Sequence, residues 1–371
     1  MSKPLFLSRT DSSIVGQWWW TVDRWSLAAV ITLMILGALL SFAGSPLVAE
    51  RIGLDSFYFV KRHFMLMPPS LAVLLAISMA SPKHIRRAGL LLFCAGIFLL
   101  ILTFLIGTEI KGARRWITFM GFSLQPSELV KPAFAVVSGW LMATEKTQPQ
   151  VPGRLIATGL LLVTLALLLL QPDVGMSVVM IGIWMVQIFL TGIPFLWIGI
   201  LVGLAAISLL LAYLFLPHVT KRIDSFLNAD LGDQFQISQS IDAFINGGLF
   251  GQGPGEGIIK RTLPDAHADF IFSVAAEEFG AILCVAIIFL FVFIVIRALH
   301  RVLYESNMYI MLATVGLIVQ FGFQTLINIA SSLHLIPTKG MTLPFLSYGG
   351  SSLLTLAIGI GMMLGLTRKR V

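Results

Sequence analysis

Apolar residues occur in long runs along this chain, and polar residues are concentrated between the runs. The runs have the length of about 20 residues that an α-helix needs to cross a bilayer. Backbone amides inside hydrocarbon must be paired within their own segment, so each run is expected to form a helix. The pattern predicts an all-α polytopic membrane protein with about ten transmembrane helices, at residues 25–45, 63–80, 88–107, 127–143, 155–171, 174–192, 195–217, 269–297, 308–332 and 344–366.

Composition supports the same fold class. The 371 residues are 57% hydrophobic and only 12% charged, whereas a soluble protein carries about 25% charged residues. The net charge of +7 is dispersed through short loops, which favours a membrane surface or an anionic lipid over nucleic acid as the partner. The first apolar run is of full spanning length and has no small-residue cleavage site, so a signal peptide is not expected.

Basic residues near the ends of the spans indicate the orientation of the chain. Compact basic clusters at 81–87 and 367–370 are typical of cytoplasmic segments, and an even number of spans places both termini on that side. We therefore expect a single integral membrane domain over 1–371. It has a cytoplasmic segment at 1–24, a large extracytoplasmic loop at 218–268 between helices 7 and 8, and a cytoplasmic tail at 367–371.

The large loop contains two recognisable segments. Apolar residues at positions 237, 241, 244 and 245 have the spacing of a short amphipathic helix lying in the headgroup plane. The same pattern also suits a helix that only covers the bundle. Six glycines follow within 246–257, but neither the lysine nor the βαβ unit of a nucleotide-binding loop accompanies them. We interpret this stretch as a hinge or a place where two backbones approach closely.

Carboxylates and a histidine gather where the eighth span begins. Asp265, His267 and Asp269 lie at the mouth of that span, and Glu277 lies two turns deeper. Carboxylates at membrane depth are costly and usually functional. Asp269 is therefore a candidate for catalysis, although a helix cap or a partner of the helix dipole would also account for it.

The loop at 108–131 carries clustered cations. Arg114 and Arg115 precede Glu128 and Lys131, which can pair on one helix face at i, i+3. Alternatively, the cations could face a pyrophosphate, which guanidinium groups bind bidentately. Asp173 follows a proline within nearly continuous apolar sequence, where it could pair with one of these arginines or help to hold a divalent cation.

Several segments together resemble the SEDS family (shape, elongation, division and sporulation), which includes the FtsW and RodA branches. In order, they are GARRW at 112–116, QPSELVK at 125–131, QPDVG at 171–175, QS at 239–240, GGLFGQG at 247–253, LPDAHADFIF at 263–272, AEEFG at 276–280 and PTKGMTLPFLSYGGSS at 337–352. The last stretch resembles the FtsW branch, because RodA-type members usually lack the lysine found here as Lys339.

The resemblance implies a peptidoglycan glycosyltransferase that polymerises lipid II with inversion and releases undecaprenyl pyrophosphate. It implies that Asp269 is the general base and that Mg²⁺ or Mn²⁺ is a possible cofactor, with no metal ligands identified. The expected substrate-binding residues are Arg114, Arg115, Glu128, Lys131, Asp173, Gln239, Ser240, His267, Lys339 and Ser352.

The resemblance also implies a location and partners. It places the chain in the inner membrane at the division septum, with a class B penicillin-binding protein (an FtsI-type transpeptidase), other divisome membrane proteins and membrane lipid as partners. Three alternatives remain open at this point: a lipid II flippase, a RodA-type elongation polymerase and a non-catalytic scaffold of the division machinery.

Overall fold

Helices make up most of the structure, a computed structural model that describes residues 13–110, 113–119, 122–194, 234–337 and 340–369, with isolated positions between 196 and 224. The helices are α1 (Ile14–Thr21), α2 (Arg24–Gly44), α3 (Pro46–Arg51), α4 (Tyr58–Ser78), α5 (Pro82–Ile106), α6 (Pro126–Thr147), α7 (Gly153–Leu170), α8 (Val174–Leu190), α9 (Gln234–Gly247), α10 (Ile271–Val302), α11 (Met308–Ser332) and α12 (Gly350–Leu366).

Membrane-spanning helices appear where the hydrophobic pattern places them. Within the described ranges, six helices are long and apolar enough to cross a bilayer, namely α2, α4, α5, α7, α10 and α11. The apolar helices α8 and α12 are shorter. The chain is a multi-pass membrane protein. The predicted seventh span, 195–217, falls largely outside the described residues, whereas helices coincide with the other nine.

Helices α6 and α12 form the buried centre of the bundle. Helix α6 packs against α5 and α11, and α12 packs against α4; most residues of α6 and nearly all of α12 are buried. The outer helices instead expose large apolar side chains, such as Leu91, Leu105 and Phe289, which are 71%, 76% and 65% exposed. This distribution suits a bundle surrounded by lipid, with its polar residues turned inward.

A small antiparallel sheet lies in the loop at 108–131, for which the all-α prediction included no strands. Strands β1 (Thr108–Ile110), β2 (Ala113–Phe119) and β3 (Phe122–Leu124) pair in the order β1-β2-β3. Strand β1 pairs Glu109 with Arg114 and Thr108 with Trp116, so Arg115 lies at an irregularity of the register, as in a β-bulge. Strand β3 leads directly into Gln125 and α6.

Helix α10 is broken at Gly280, where φ is 80°. The glycine-rich loop after α9 lies against this break: the amide of Ala281 donates to the carbonyl of Gly248 (2.9 Å), and the amide of Gly253 donates to the carbonyl of Glu278 (3.0 Å). A Cβ at Gly251 would overlap the carbonyl oxygen of Glu278, and one at Gly280 would overlap the carbonyl oxygen of Leu249. The glycines are therefore needed for close backbone approach, one of the two interpretations drawn from the sequence.

Glu277 holds the same loop from inside α10. Its carboxylate accepts hydrogen bonds from the amides of Ile259 (2.7 Å) and Lys260 (2.8 Å) and from Nδ2 of Asn246 (3.0 Å). The neighbouring Glu278 pairs with the buried ammonium of Lys260. These two intramembrane carboxylates thus have a structural role, in which they attach the loop to the start of α10.

Candidate functional site

Asp269 lies in the turn that precedes α10. Its amide donates to the carbonyl of Asp265 (3.1 Å), and its own carbonyl accepts from Nδ2 of Asn328 on α11 (2.9 Å). Phe270, not Asp269, occupies the N-cap position of α10. The carboxylate instead faces the loop before α12, since its Oδ2 lies 3.6 Å from the place that a Cβ on Gly340 would occupy.

The turn that carries Asp269 is attached to that loop by hydrogen bonds to its main-chain carbonyls. The amide of Tyr348 donates to the carbonyl of His267 (2.9 Å), and Oγ of Ser347 donates to the carbonyl of Ala268 (2.5 Å). The His267 ring stacks on Phe59 of α4 with ring centroids 4.4 Å apart. Three consecutive residues, 267–269, therefore have their carbonyls held in place.

His267 is a neutral side chain at this site. Burial lowers its pKa to about 4, and the nearby Asp265 only partly opposes that shift. Its Nδ1 is buried and has no hydrogen-bond partner within the described residues. At neutral pH the ring can stack or accept a hydrogen bond, but it offers no positive charge to a phosphate.

Lys131 is a fully buried cation in the first turns of α6. Its side chain is 0% exposed, and Nζ lies 2.9 Å from Oε2 of Glu128, whose side chain is 3% exposed. The i, i+3 pair proposed from the sequence is present. The ammonium also donates to Oε1 of Gln324 on α11 (2.7 Å).

Gln324 connects this ion pair to the loop that faces Asp269. Its Nε2 donates to the carbonyl of Thr342 (3.1 Å). The hydroxyl of Thr342 in turn bonds to Oγ of Ser352 at the start of α12 (2.7 Å). Glu128, Lys131 and Ser352 are thereby joined in one buried network that reaches the loop beside Asp269.

Asp173 joins the same network from the other side. Its Oδ2 accepts from Nε2 of Gln125 (3.4 Å), and the amide of Gln125 donates to Oγ of Ser351 (3.2 Å), the residue before Ser352. Asp173 also caps α8. Burial raises the pKa of Asp173, and the charge of Arg115 is the largest influence that opposes the shift.

The two arginines of β2 have different surroundings. Arg115 donates from Nε to the carbonyl of Gln171 (3.0 Å) and from Nη2 to that of Pro172 (2.5 Å), which places its charge beside Asp173. Arg114 pairs with Glu109, its partner on β1, at 3.5 Å, and both side chains are more than half exposed. Only Arg115 is directed towards the buried network.

Gln239 and Ser240 of α9 lie apart from this network. Oε1 of Gln239 accepts from the hydroxyl of Thr262. Ser240 is fully buried and bonds to Oγ of Ser273 (2.6 Å) and to the carbonyl of Ser332 (2.6 Å). Ser240 thus attaches α9 to α10 and α11, and the substrate-binding roles proposed for both residues remain predictions.

Lys339, another expected substrate-binding residue, lies outside the described residues, although Gly340 beside it is described. Metal ligands were left unassigned from the sequence. Across the described ranges, no three or more His, Cys, Asp or Glu side chains come together as a metal site would require. Asp173 and Asp269 therefore stand as separate single carboxylates.

Comparison with known families identifies the group to which this chain belongs. A family model described as a cell cycle protein, covering FtsW, RodA and SpoVE, matches residues 24–371. The chain belongs to the FtsW/RodA/SpoVE family. The resemblance drawn from the sequence motifs is confirmed, and the match covers every helix from α2 onwards.

Individual members of the FtsW/RodA/SpoVE family are similar over nearly the full chain. A probable peptidoglycan glycosyltransferase FtsW from Caulobacter vibrioides is 46% identical over 98% of this chain and 93% of its own length. The FtsW of the same description from Coxiella burnetii is 35% identical, over 93% of this chain and 96% of its own. The expected likeness to the FtsW branch is thus confirmed.

Solved structures of the family share the fold. One chain, from work on the structural coordination of polymerization and crosslinking by a peptidoglycan synthase complex, has a TM-score of 0.74 and 26% identity, over 93% of this chain and 97% of that one. Rod shape determining protein RodA from Thermus thermophilus has a TM-score of 0.68 and 26% identity, over 94% and 97%.

Two side chains of the site were missed in the sequence. Gln324 and Asn328 lie four positions apart on α11 (i, i+4), so they share one helix face. They are 0% and 1% exposed. The available signal was this spacing of amide side chains within an apolar span, where polar groups require partners.

Proposed function

We propose that this chain is a peptidoglycan glycosyltransferase that polymerises lipid II into glycan strands and releases undecaprenyl pyrophosphate. The observation that carries the proposal is the position of the Asp269 carboxylate. It faces a loop that is bonded, through Gln324, to the buried ammonium of Lys131. The names of the similar FtsW proteins support the same reaction class.

Asp269 would act as the general base. It would take the proton from the 4-hydroxyl of the acceptor sugar as that oxygen attacks the anomeric carbon of the donor. The oxygen attacks from the side opposite the diphosphate while the bond from that carbon to the diphosphate oxygen breaks, so an α-linked donor gives a β-linked polymer. A positioned base of this kind contributes typically about 10² to 10⁴ in rate.

Arg115 is the foremost cation for the leaving diphosphate. It is partly exposed, and it donates to two neutral carbonyls instead of a carboxylate, so its charge remains available to a phosphate. Lys131 is already neutralised by Glu128 and would act mainly by keeping the polar network in place. Lys339 remains a further proposed cation, whereas Arg114 is paired with Glu109.

A divalent cation is compatible with these residues. Mg²⁺ commonly binds through one or two carboxylates together with substrate phosphates and water, so Asp269 or Asp173 alone would provide enough protein ligands. When bound, such an ion would neutralise charge on the diphosphate. The protein's own part is to present a carboxylate and to exclude water from the network around it.

The proposed cellular setting is the division septum, with both termini cytoplasmic. The likeness to a chain from a peptidoglycan synthase complex supports a class B penicillin-binding protein as partner. Depletion in cells tests the branch, because filamentous cells indicate division and round cells indicate elongation.

The decisive experiment is polymerisation of lipid II by the purified chain, together with its transpeptidase partner, in lipid vesicles. Asp269→Asn keeps the shape of the side chain and removes the base, so we expect the rate to fall by about 10² to 10⁴. Asp265→Asn is the matched control. It alters a carboxylate in the same turn, and asparagine tolerates the positive φ of 51° found there.

Two results would overturn the proposal. If Asp269→Asn polymerises lipid II at the wild-type rate, Asp269 is not the base. If the wild-type complex moves lipid II between leaflets without making glycan, the chain is a flippase; if it does neither, the scaffold role is favoured.

A further inference from the structure

Asn328 is a buried amide at the junction of two chain segments that are distant in sequence. It lies near the end of α11 and is 1% exposed. Its Nδ2 donates to the carbonyl of Asp269 (2.9 Å) and to the carbonyl of Met341 (2.6 Å). A single amino group therefore ties the turn before α10 to the loop before α12.

The orientation of this amide is fixed by its surroundings. Both neighbours are carbonyl oxygens, which can only accept hydrogen bonds, so the NH₂ group must face them. Oδ1 is buried on the opposite side and has no hydrogen-bond partner in the described part of the chain. Leaving Oδ1 unpaired costs free energy. The two donor contacts of Nδ2 offset this cost and hold the side chain in its orientation.

These contacts restrict the backbone that carries the Asp269 carboxylate. The amide of Asp269 is bonded to Asp265 and its carbonyl to Asn328, so both peptide groups beside its Cα are held. Met341, the second acceptor, adjoins Gly340, which the carboxylate faces. Asn328 thereby sets the separation between the carboxylate and the loop opposite it.

We infer that Asn328 is a positioning residue for Asp269: by donating to the carbonyls of Asp269 and Met341, it holds the carboxylate at its working distance from the loop before α12. This inference rests on the proposed role of Asp269 as the base. Displacing a reacting group by about 1 Å can cost roughly 100-fold in rate, so a residue without substrate contact can still affect turnover strongly.

The test compares Asn328→Ala and Asn328→Asp with Gln320→Ala in lipid II polymerisation by the complex. Alanine supplies neither donor contact, and an ionised aspartate can only accept hydrogen bonds. We expect kcat to fall about 100-fold, while KM for lipid II stays within about threefold, because substrate contacts are unchanged. Gln320 is the matched control: it lies two turns away on the same face of α11 and is 3% exposed.

A double-mutant cycle with Asp269→Asn separates positioning from a general loss of structure. If Asn328 acts through Asp269, Asn328→Ala in the Asp269→Asn background should lower the residual rate by less than about threefold. A full second loss of about 100-fold would overturn the inference, and so would a wild-type kcat for Asn328→Ala. If Asp269→Asn alone is fully active, the proposed base has failed instead.

The stability of each variant is measured in the same preparations by thermal unfolding. Should Asn328→Ala not fold, Asn328→Ser retains one hydroxyl donor and is expected to show an intermediate loss of kcat with KM unchanged. A loss of binding, seen as a raised KM with wild-type kcat, would assign Asn328 to the substrate site and contradict the positioning role.

Discussion

The buried pair of Lys131 and Glu128 allows a quantitative test of the polar network. The two side chains are 0% and 3% exposed, and their charged atoms are 2.9 Å apart. Lys131→Met leaves the Glu128 carboxylate buried without its counter-ion and deprives Oε1 of Gln324 of its donor. Breaking a buried pair by removing one partner costs about 3–5 kcal/mol, so we expect a loss of that size in the free energy of unfolding.

The double variant Glu128→Gln/Lys131→Met should be more stable than Lys131→Met alone. Neither charge of this pair remains in it, and replacing both members of a buried pair is often close to neutral. We expect it to recover at least about 2 kcal/mol, as measured by denaturant titration in mixed micelles. If the losses of Glu128→Gln and Lys131→Met, measured singly, add to the loss of the double variant within about 0.5 kcal/mol, the two charges do not interact and the reasoning is refuted.

A second cycle on the same helix provides the control. Glu145, near the end of α6, pairs with Arg154 at the start of α7, but the arginine side chain is 46% exposed. Exposed pairs contribute about 0–1 kcal/mol, so Glu145→Gln and Arg154→Met should each have a small effect. A loss as large as that of Lys131→Met would mean that burial does not determine the difference.

Three further predictions follow from single contacts. Arg115→Ala should lower lipid II polymerisation about 100-fold, whereas Arg114→Ala, which removes only an exposed pair with Glu109, should stay within about threefold of wild type; equal losses would remove the distinction. Gly251→Ala should unfold at a clearly lower temperature than Gly248→Ala, since both have positive φ but only Gly251 faces a backbone carbonyl; equal temperatures would show that the loop shifts freely. Because burial lowers the pKa of folded His267 to about 4, the unfolded chain binds a proton between pH 6.5 and 4 that the folded protein does not, and the wild type loses stability as pH falls. His267→Phe should remove up to about 3 kcal/mol of this loss. Free energies of unfolding that fall in parallel with pH in both proteins would contradict this.

The helical fold could be predicted because a bilayer imposes one pattern on every span. Apolar runs of spanning length leave the backbone no alternative to a helix, and nine predicted spans coincide with observed helices. The sheet at 108–124 could not be found in this way. Its strands are only three to seven residues long, and the adjacent Arg114 and Arg115 indicate a cluster of charge instead of the alternating polar and apolar pattern of a strand.

The candidate site was predictable where charge marked it. Asp269, Lys131 and Asp173 stand out because a charged group beside or within an apolar run needs a reason. Neutral amides give a weaker signal, so Gln324 and Asn328 were missed although they connect the charged residues. The different surroundings of Ser240 and Ser352 also depend on which helices meet, and local sequence does not specify such tertiary contacts.

The break at Gly280 has a consequence for protein engineering. The loop at 247–253 supplies hydrogen-bond partners to the backbone of α10 on either side of Gly280, where the helix is broken. The two segments therefore have to be complementary to each other. A chimera that takes residues 247–253 from one relative should take 276–282 from the same relative. Exchanging either piece alone would pair mismatched surfaces, and the nearer piece begins seven residues along the chain from Asp269.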